Sequence, residues 1–144
     1  MNVYVGIGSF EPGTARKGTH CTGKKALYVD IDCGPDKPYK TQKDALLAIK
    51  KLWWSDKSCP NPTYVVNSGN GIHMYWVLTD TITPVEWSPL ATGLQRLCLS
   101  VGLHVDTQVT TDVARIMRAV GSDNHKRDTP RPCKRRSRRR QARD

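Results

Sequence analysis

Apolar positions along the chain recur with two periods, and the places where the period changes outline the elements. Val3–Ile7 predicts a short strand. Ala26-Leu-Tyr-Val-Asp-Ile-Asp32 has the β-branched alternation of a second one. Between them, Glu11–Lys25 is rich in Gly and Thr and reads as a loop, and Gly34-Pro-Asp-Lys-Pro38 ends the second strand as a turn. Thr41, with Asp44 three residues on, is a variant of the capping box. Ala45, Leu46, Ile49, Leu52 and Trp53 then recur at helical spacing, with Lys43, Lys50 and Lys51 on the other side. Pro60 and Pro62 break the chain before Thr63–Asn67, a third strand.

Ser68-Gly-Asn-Gly71 joins that strand to Ile72–Leu78, and Asn-Gly between two such runs is a strong hairpin signal. Thr83, Pro84 and Glu86 supply the cap, first-turn proline and N3 acid of a second helix, with Ser88 before Pro89 as an alternative start. Leu90, Leu94, Leu97 and Val101 predict its buried stripe, and Gly102 its end. Val105–Asp106 reads as a short strand end, and Asp112–Ala119 as a short helix or turn. The order predicts an α+β fold, an antiparallel or mixed sheet with helices packed on one face.

A chain of 144 residues fits one domain. No apolar run approaches the roughly 20 residues of a membrane helix. The start, Met1–Gly6, lacks the basic-then-apolar pattern of a signal peptide, so the expected location is cytoplasmic. The five cysteines include no C-x-x-C pair and are expected to be reduced; His20, Cys21 and Cys33 lack the paired spacing of a zinc site. The net charge is +10, but residues 126–144 hold ten Lys and Arg against two acids, which leaves the rest nearly neutral. Asp128–Asp144 is almost devoid of apolar residues and is expected to be disordered, dividing the chain into a domain, 1–127, and a basic tail, 128–144. Such a tail either holds DNA phosphates or has no selected role.

Candidate chemistry begins with Asp30 and Asp32, which side-chain alternation puts on one face of a strand while Val29 and Ile31 face the core. Two adjacent carboxylates repel each other but suit a hard divalent cation. The glycines of Ser68-Gly69-Asn-Gly71 permit close approach of the backbone, and turn N–H groups can form an anion-binding nest. His73 stands opposite the apolar set Ile72, Met74 and Trp76, on the side of a ligand in that turn. Asp106 and Asp112 compete for a third carboxylate role, and Asp112, Arg115 and Arg118 would share a face if their segment were helical.

Together these motifs resemble the archaeo-eukaryotic primase superfamily, especially the small primase–polymerase domains of plasmids, phages and mobile elements. Ala26–Cys33 is similar to the first family motif, a strand ending in two acids; Ser68–Trp76 to the second, small-x-His; His104-Val-Asp106 to the third. Asp112–Lys126 resembles the segment that often follows, with Val-Gly-Ser where Pro-Gly-Thr is usual. The resemblance covers roughly residues 2–126. It implies an RRM-like palm and template-directed nucleotidyl transfer from nucleoside triphosphates on single-stranded DNA. It further implies that Asp30, Asp32 and Asp106 bind two Mg²⁺ or Mn²⁺, and that Ser68, Gly69, Gly71 and His73 hold the incoming triphosphate. Arg115, Arg118 and Lys126 would contact phosphate or template, Asp112 would orient Arg115, and a replicative helicase would be encoded separately.

Two other classes fit parts of the pattern. A non-catalytic RRM-like module would bind single strands through exposed aromatics, for which Tyr28, Tyr64, Tyr75 and Trp76 are the strand candidates. A nuclease or sugar transferase would also use acid-bound cations, but a D-x-D transferase gives the Gly-rich His hairpin no role.

Overall fold

The structure, a computed structural model, describes residues 1–126 and 129–136. Its centre is a five-stranded antiparallel sheet in the order β2-β3-β5-β4-β9. Two long strands, β3 (Cys21–Asp32) and β5 (Gly71–Ile82), form its middle; β2 (Ser9–Phe10), β4 (Tyr64–Asn67) and β9 (Lys134–Arg135) flank them. Helix α1 (Gln42–Ala48) runs on into a π-helical turn, Ile49–Trp53, and α2 covers Pro84–Ser100. A short α3 (Thr107–Thr110) follows. β1 (Tyr4–Gly6) pairs with β6 (Ile116–Arg118), and β7 (Asp123–Asn124) with β8 (Arg131–Pro132), as two small ribbons. The α+β expectation holds.

The alternation of β3 and β5 sorts their residues into two faces. Val29, Ile31, Ile72, Met74 and Trp76 pack against Ala45, Ile49 and Trp53 of the first helical segment and Leu94 and Cys98 of α2. The opposite face carries Tyr28, Asp30, Asp32, His73 and Tyr75, because Asp30 pairs with His73 and Tyr28 with Tyr75 across the strands. Both helix caps form as the sequence predicts: Thr41 with Asp44, and Thr83 with Glu86, are reciprocal capping boxes. Pro89 lies inside α2, and its start is Thr83, not Ser88.

Several local expectations are corrected. The segment expected as a loop, Glu11–Lys25, yields its last five residues to β3, which starts at Cys21. Of the stripe expected on α2, Leu94 is buried and Leu97 and Val101 pack partly buried against the core, but Leu90 is 48% exposed, and Trp87, Ala91 and Cys98 complete the buried face. Leucine spacing misled because Trp87 reaches across the edge of the sheet, its indole N–H donating to Ala26 O at 2.9 Å, and so sets the helix rotation. Val105–Asp106 is not a strand, and Asp112–Ala119 is a turn leading into β6, with no helical face shared by Asp112, Arg115 and Arg118. Among residues expected in a disordered tail, Arg131–Arg135 contribute β8 and β9. Cys133 between them is fully buried. Residues 128 and 137–144 of that expected tail lie outside the described residues.

Lys24 is the least expected core residue. It is fully buried, and its ammonium donates to Ile7 O, to Tyr28 Oη at 2.9 Å and to Val113 O at 3.0 Å. It also lies 4.7 Å from the Trp87 ring centre. One cation thus ties the β1–β2 connection and the segment before β6 to the central sheet. Burial brings its pKa down from 10.5 to about 8, with Cys21 and Asp112 pulling weakly the other way. Lys24→Met leaves two buried carbonyls without that donor and is expected to cost about 2–3 kcal/mol at pH 7. The sign of the pH dependence follows from linkage: between pH 8 and 10.5 the unfolded chain binds more protons at Lys24, so its contribution to stability rises with pH. Urea melts of wild type and Lys24→Met at pH 7 to 10 should show a gap that widens above pH 8; a constant or narrowing gap contradicts this burial.

Candidate active site

The last turns of β3 carry the first two acids. Asp30 is buried on the strand's polar face, and Asp32 follows at the mouth, where its carboxylate lies 3.8 Å from the Lys37 ammonium. That pair is half-exposed and contributes little to stability. Burial raises the Asp32 pKa; the Asp30 charge raises it further, while Lys37 and Lys126 oppose the rise.

The third acid arrives by a longer route. Gly102, at φ +83°, turns the chain out of α2, and Leu103 buries itself against the core with its N–H on Cys98 O. The His104 N–H is held by the Tyr39 hydroxyl at 3.1 Å. The chain then crosses the edge of β3, where the Asp106 N–H donates to Asp30 O at 2.8 Å. Asp106 caps α3 with one carboxylate oxygen on the Gln108 N–H. As a result, one carboxylate oxygen from each of Asp30, Asp32 and Asp106 lies within 4.8 Å of the others. Asp112 is not in this cluster: its side chain caps the Ala114 N–H and its carbonyl accepts from Tyr28 Oη at 2.5 Å.

His73 closes the cluster from β5. Its Nε2 stands 3.4 Å from Asp30 Oδ1, and its Nδ1 3.3 Å from Tyr75 Oη. The Asp30 carboxylate beside Nε2 favours the tautomer with its proton there, and the Tyr75 hydroxyl, kept protonated by burial and the Asp30 charge, can then donate to Nδ1. Asp30 Oδ1 is buried and makes no hydrogen bond; the only group at ion-pair distance among the described residues is His73 Nε2, at 3.4 Å. A carboxylate oxygen left in that state is costly unless a cation takes it up, and an all-oxygen donor set matches Mg²⁺ or Mn²⁺. The residues present therefore fit a divalent metal.

The Ser68–Gly71 turn is built around its glycines. Gly69 sits at φ +90°, with Asn124 Cβ 2.6 Å from where its own Cβ would be, and a Cβ on Gly71 would run into Ile31 O. The expected backbone nest is partly spent inside the turn, since Ser68 N–H donates to Gly71 O and Gly69 N–H to Asn67 Oδ1. Those two N–H groups are therefore not free for an anion.

No family model matches the chain. A curated relative, a "Replication protein" from Clostridium perfringens, is 28% identical over 130 residues, covering 89% of this chain and 30% of the relative. Two solved structures share the architecture at 20% identity, each covering 94% of this chain. One is the AEP domain of the cyanophage S-2L primase-polymerase, TM-score 0.68, of which 62% is covered. The chain has the fold of an archaeo-eukaryotic primase-polymerase domain. The other is the polymerase domain of Mycobacterium tuberculosis Ligase D in complex with DNA, TM-score 0.62, of which 52% is covered. This chain thus spans less than two thirds of each protein it matches.

Within the primase-polymerase fold, the residues expected from sequence separate into two groups. Asp30, Asp32, Asp106 and His73 converge, with Lys126 near enough to act on Asp32. Arg118 is turned to other work: its guanidinium donates to Asn2 Oδ1 at 2.6 Å and lies over the Tyr4 ring, which ties the N-terminus to β6. Arg115 is half-buried near Tyr28, with its Nε lacking a hydrogen-bond partner. Tyr75, expected only as a stacking aromatic, stands at hydrogen-bond distance from His73 Nδ1, a contact that its period-two relation to His73 could have revealed. The aromatic platform of the binding-module alternative is largely absent, because Tyr28 and Trp76 are core residues. Cys21 and Cys33 stand at opposite ends of β3, too far apart to share a zinc ion. Among the described residues no helix is long and apolar enough to cross a membrane.

The charge coupling has a direct consequence. Carboxyl-carbon NMR titration should find Asp32 protonating above the usual carboxylate range, and Asp30→Asn should lower that midpoint while burial keeps it above the free value. An Asp32 midpoint unmoved by Asp30→Asn would contradict the close approach of the two groups.

Proposed function

We propose that this domain is a primase–polymerase, joining nucleoside triphosphates on a single-stranded DNA template in replication. The observation that supports it most is the convergence of Asp30, Asp32 and Asp106 beside His73, three acids from two chain segments gathered around a buried carboxylate oxygen that makes no hydrogen bond. In this reading Asp30, Asp32 and Asp106 hold two Mg²⁺ or Mn²⁺. Bound there, such ions supply Lewis acidity toward a primer hydroxyl and the phosphate oxygens it meets. Tyr75 on Nδ1 orients His73, and the Nε2–H of His73, with Ser68 on the turn, grips the incoming triphosphate. Gly69 and Gly71 let the backbone approach that triphosphate, and Lys126 supplies a neutralising charge at the mouth. Arg115 is the remaining phosphate candidate; Arg118 would reach a ligand only by leaving Asn2 and Tyr4. A replicative helicase is the expected partner.

Primer synthesis tests this reading. On single-stranded DNA with labelled nucleoside triphosphates and Mn²⁺ or Mg²⁺, the full chain should make short products, and Asp30→Ala with Asp32→Ala should reduce them by about 10³-fold or more, on the scale of losing a main electrostatic catalytic group. His73→Ala should weaken nucleotide binding more than strand binding. A wild-type protein that is folded, binds Mn²⁺ and still makes no product would contradict catalysis, and degradation of the template without nucleotides would point to a nuclease.

A further inference from the structure

Beyond Asp32 the chain turns through Gly34–Pro38, and a cleft of about 320 Å³ opens at that end of the sheet. Its walls come from four segments: the turn residues Cys33 and Pro35, the start of α1 with Lys40 and Lys43, Asn70 between β4 and β5, and Arg131 of β8. Both atoms of the Asn70 side-chain amide are buried and have no hydrogen-bond partner, although the Asn70 carbonyl is held by Cys33 N–H at 3.0 Å. An amide in that state is costly unless a ligand completes it. The cleft lining contains three cations and no acid, so the ligand that fits is an anion.

The segment that brings Arg131 here is anchored. Arg131 pairs with Asn124 through β8 and β7, and its backbone packs against Gly69. Cys133 is buried behind it, and Lys134 and Arg135 then pair with Asn67 and Val66 on the edge strand β4. The Arg135 guanidinium lies 4.4 Å from the centre of the half-exposed Tyr64 ring, and Arg136 N–H donates to Val65 O. No ion pair forms with Arg131, Lys134, Arg135 or Arg136 among the described residues. From Arg131 to Arg136 the chain can span up to about 17 Å. That is longer than one triphosphate and suited to successive phosphates of a strand.

We infer that the cleft lined by Lys43, Asn70 and Arg131 seats a backbone phosphate of a single-stranded nucleic acid, and that Lys134–Arg136 carry the same strand along the edge of β4. The inference rests on the proposed reading only for the identity of the strand as template. Its test needs neither catalysis nor metal. The full chain is titrated into a fluorescently labelled 20-nucleotide oligothymidylate, without metal or nucleotide, across a series of salt concentrations. Lys43→Gln with Arg131→Gln changes two exposed side chains, and its thermal midpoint checks that the fold is intact. The expected result is about tenfold weaker strand binding and a log–log salt slope reduced by about 0.7, the value for one single-strand phosphate contact. Mn²⁺-dependent binding of a nucleoside triphosphate should be unchanged. Lys134→Gln with Arg136→Gln should lower the same slope, and Asp30→Asn should not. Loss of triphosphate binding with strand binding kept would assign the cleft to the nucleotide and overturn the inference. So would an unchanged slope in both charge variants, or a wild-type chain that does not hold the strand. Failure of primer synthesis with the slope result intact would instead count against the catalytic reading alone.

Discussion

Strand β3 has a free edge, and closing it organises the molecule. β2 covers only the first residues of β3, so the outward-facing backbone groups further along need other partners. Two are found at Ala26, whose carbonyl accepts from the Trp87 indole, and at Asp30, whose carbonyl accepts from the Asp106 N–H. The first bond fixes how α2 sits on the sheet. The second lays the connection after α2 across the strand at the position of the buried acid. A requirement of backbone hydrogen bonding thereby delivers the third carboxylate to the other two, with no need for Asp106 to lie on a strand.

The opposite wall depends on register. Because Asp30 pairs with His73 and Asp32 with Gly71, the imidazole meets the buried acid while the exposed acid meets a residue without a side chain. A shift of one residue would send His73 into the apolar face and Met74 toward the carboxylates. The Gly71 position fixes that register sterically, since the close approach to Ile31 O admits no Cβ. Lys24 secures the other end of β3, so the strand is held at both ends while the acids sit between a hydrophobic layer and the mouth.

Much of this was legible in the chain. The alternation in Ala26–Asp32 and Ile72–Trp76 assigned both faces correctly, and the two capping boxes located both long helices, because these features depend on neighbours within four residues. What stayed illegible depends on distant partners. Leu90 looks like core until Trp87 turns the helix. Lys24 looks like loop until two other segments supply its acceptors. Asp106 and Asp112 are equivalent by spacing and differ only once the edge of β3 is seen to need an N–H. Arg118 reads as a phosphate ligand until Asn2, 116 residues away, takes its guanidinium. The basic segment after Pro130 reads as unstructured by composition, yet buried Cys133 and the open edge of β4 give its first residues a place in the sheet.

In the proposed reading, three acids from two segments form one divalent-cation centre. Electron paramagnetic resonance of Mn²⁺ titrated into wild type and into Asp30→Asn, Asp32→Asn and Asp106→Asn measures this without any turnover. Each substitution should weaken Mn²⁺ binding by about tenfold or more, the change expected when one carboxylate ligand is lost, worth about 1.4 kcal/mol or more. An Asp106→Asn protein that binds Mn²⁺ as tightly as wild type, while Asp30→Asn and Asp32→Asn do not, would contradict the delivery of the third acid across the edge of β3. Equal binding by all four proteins would remove the site altogether.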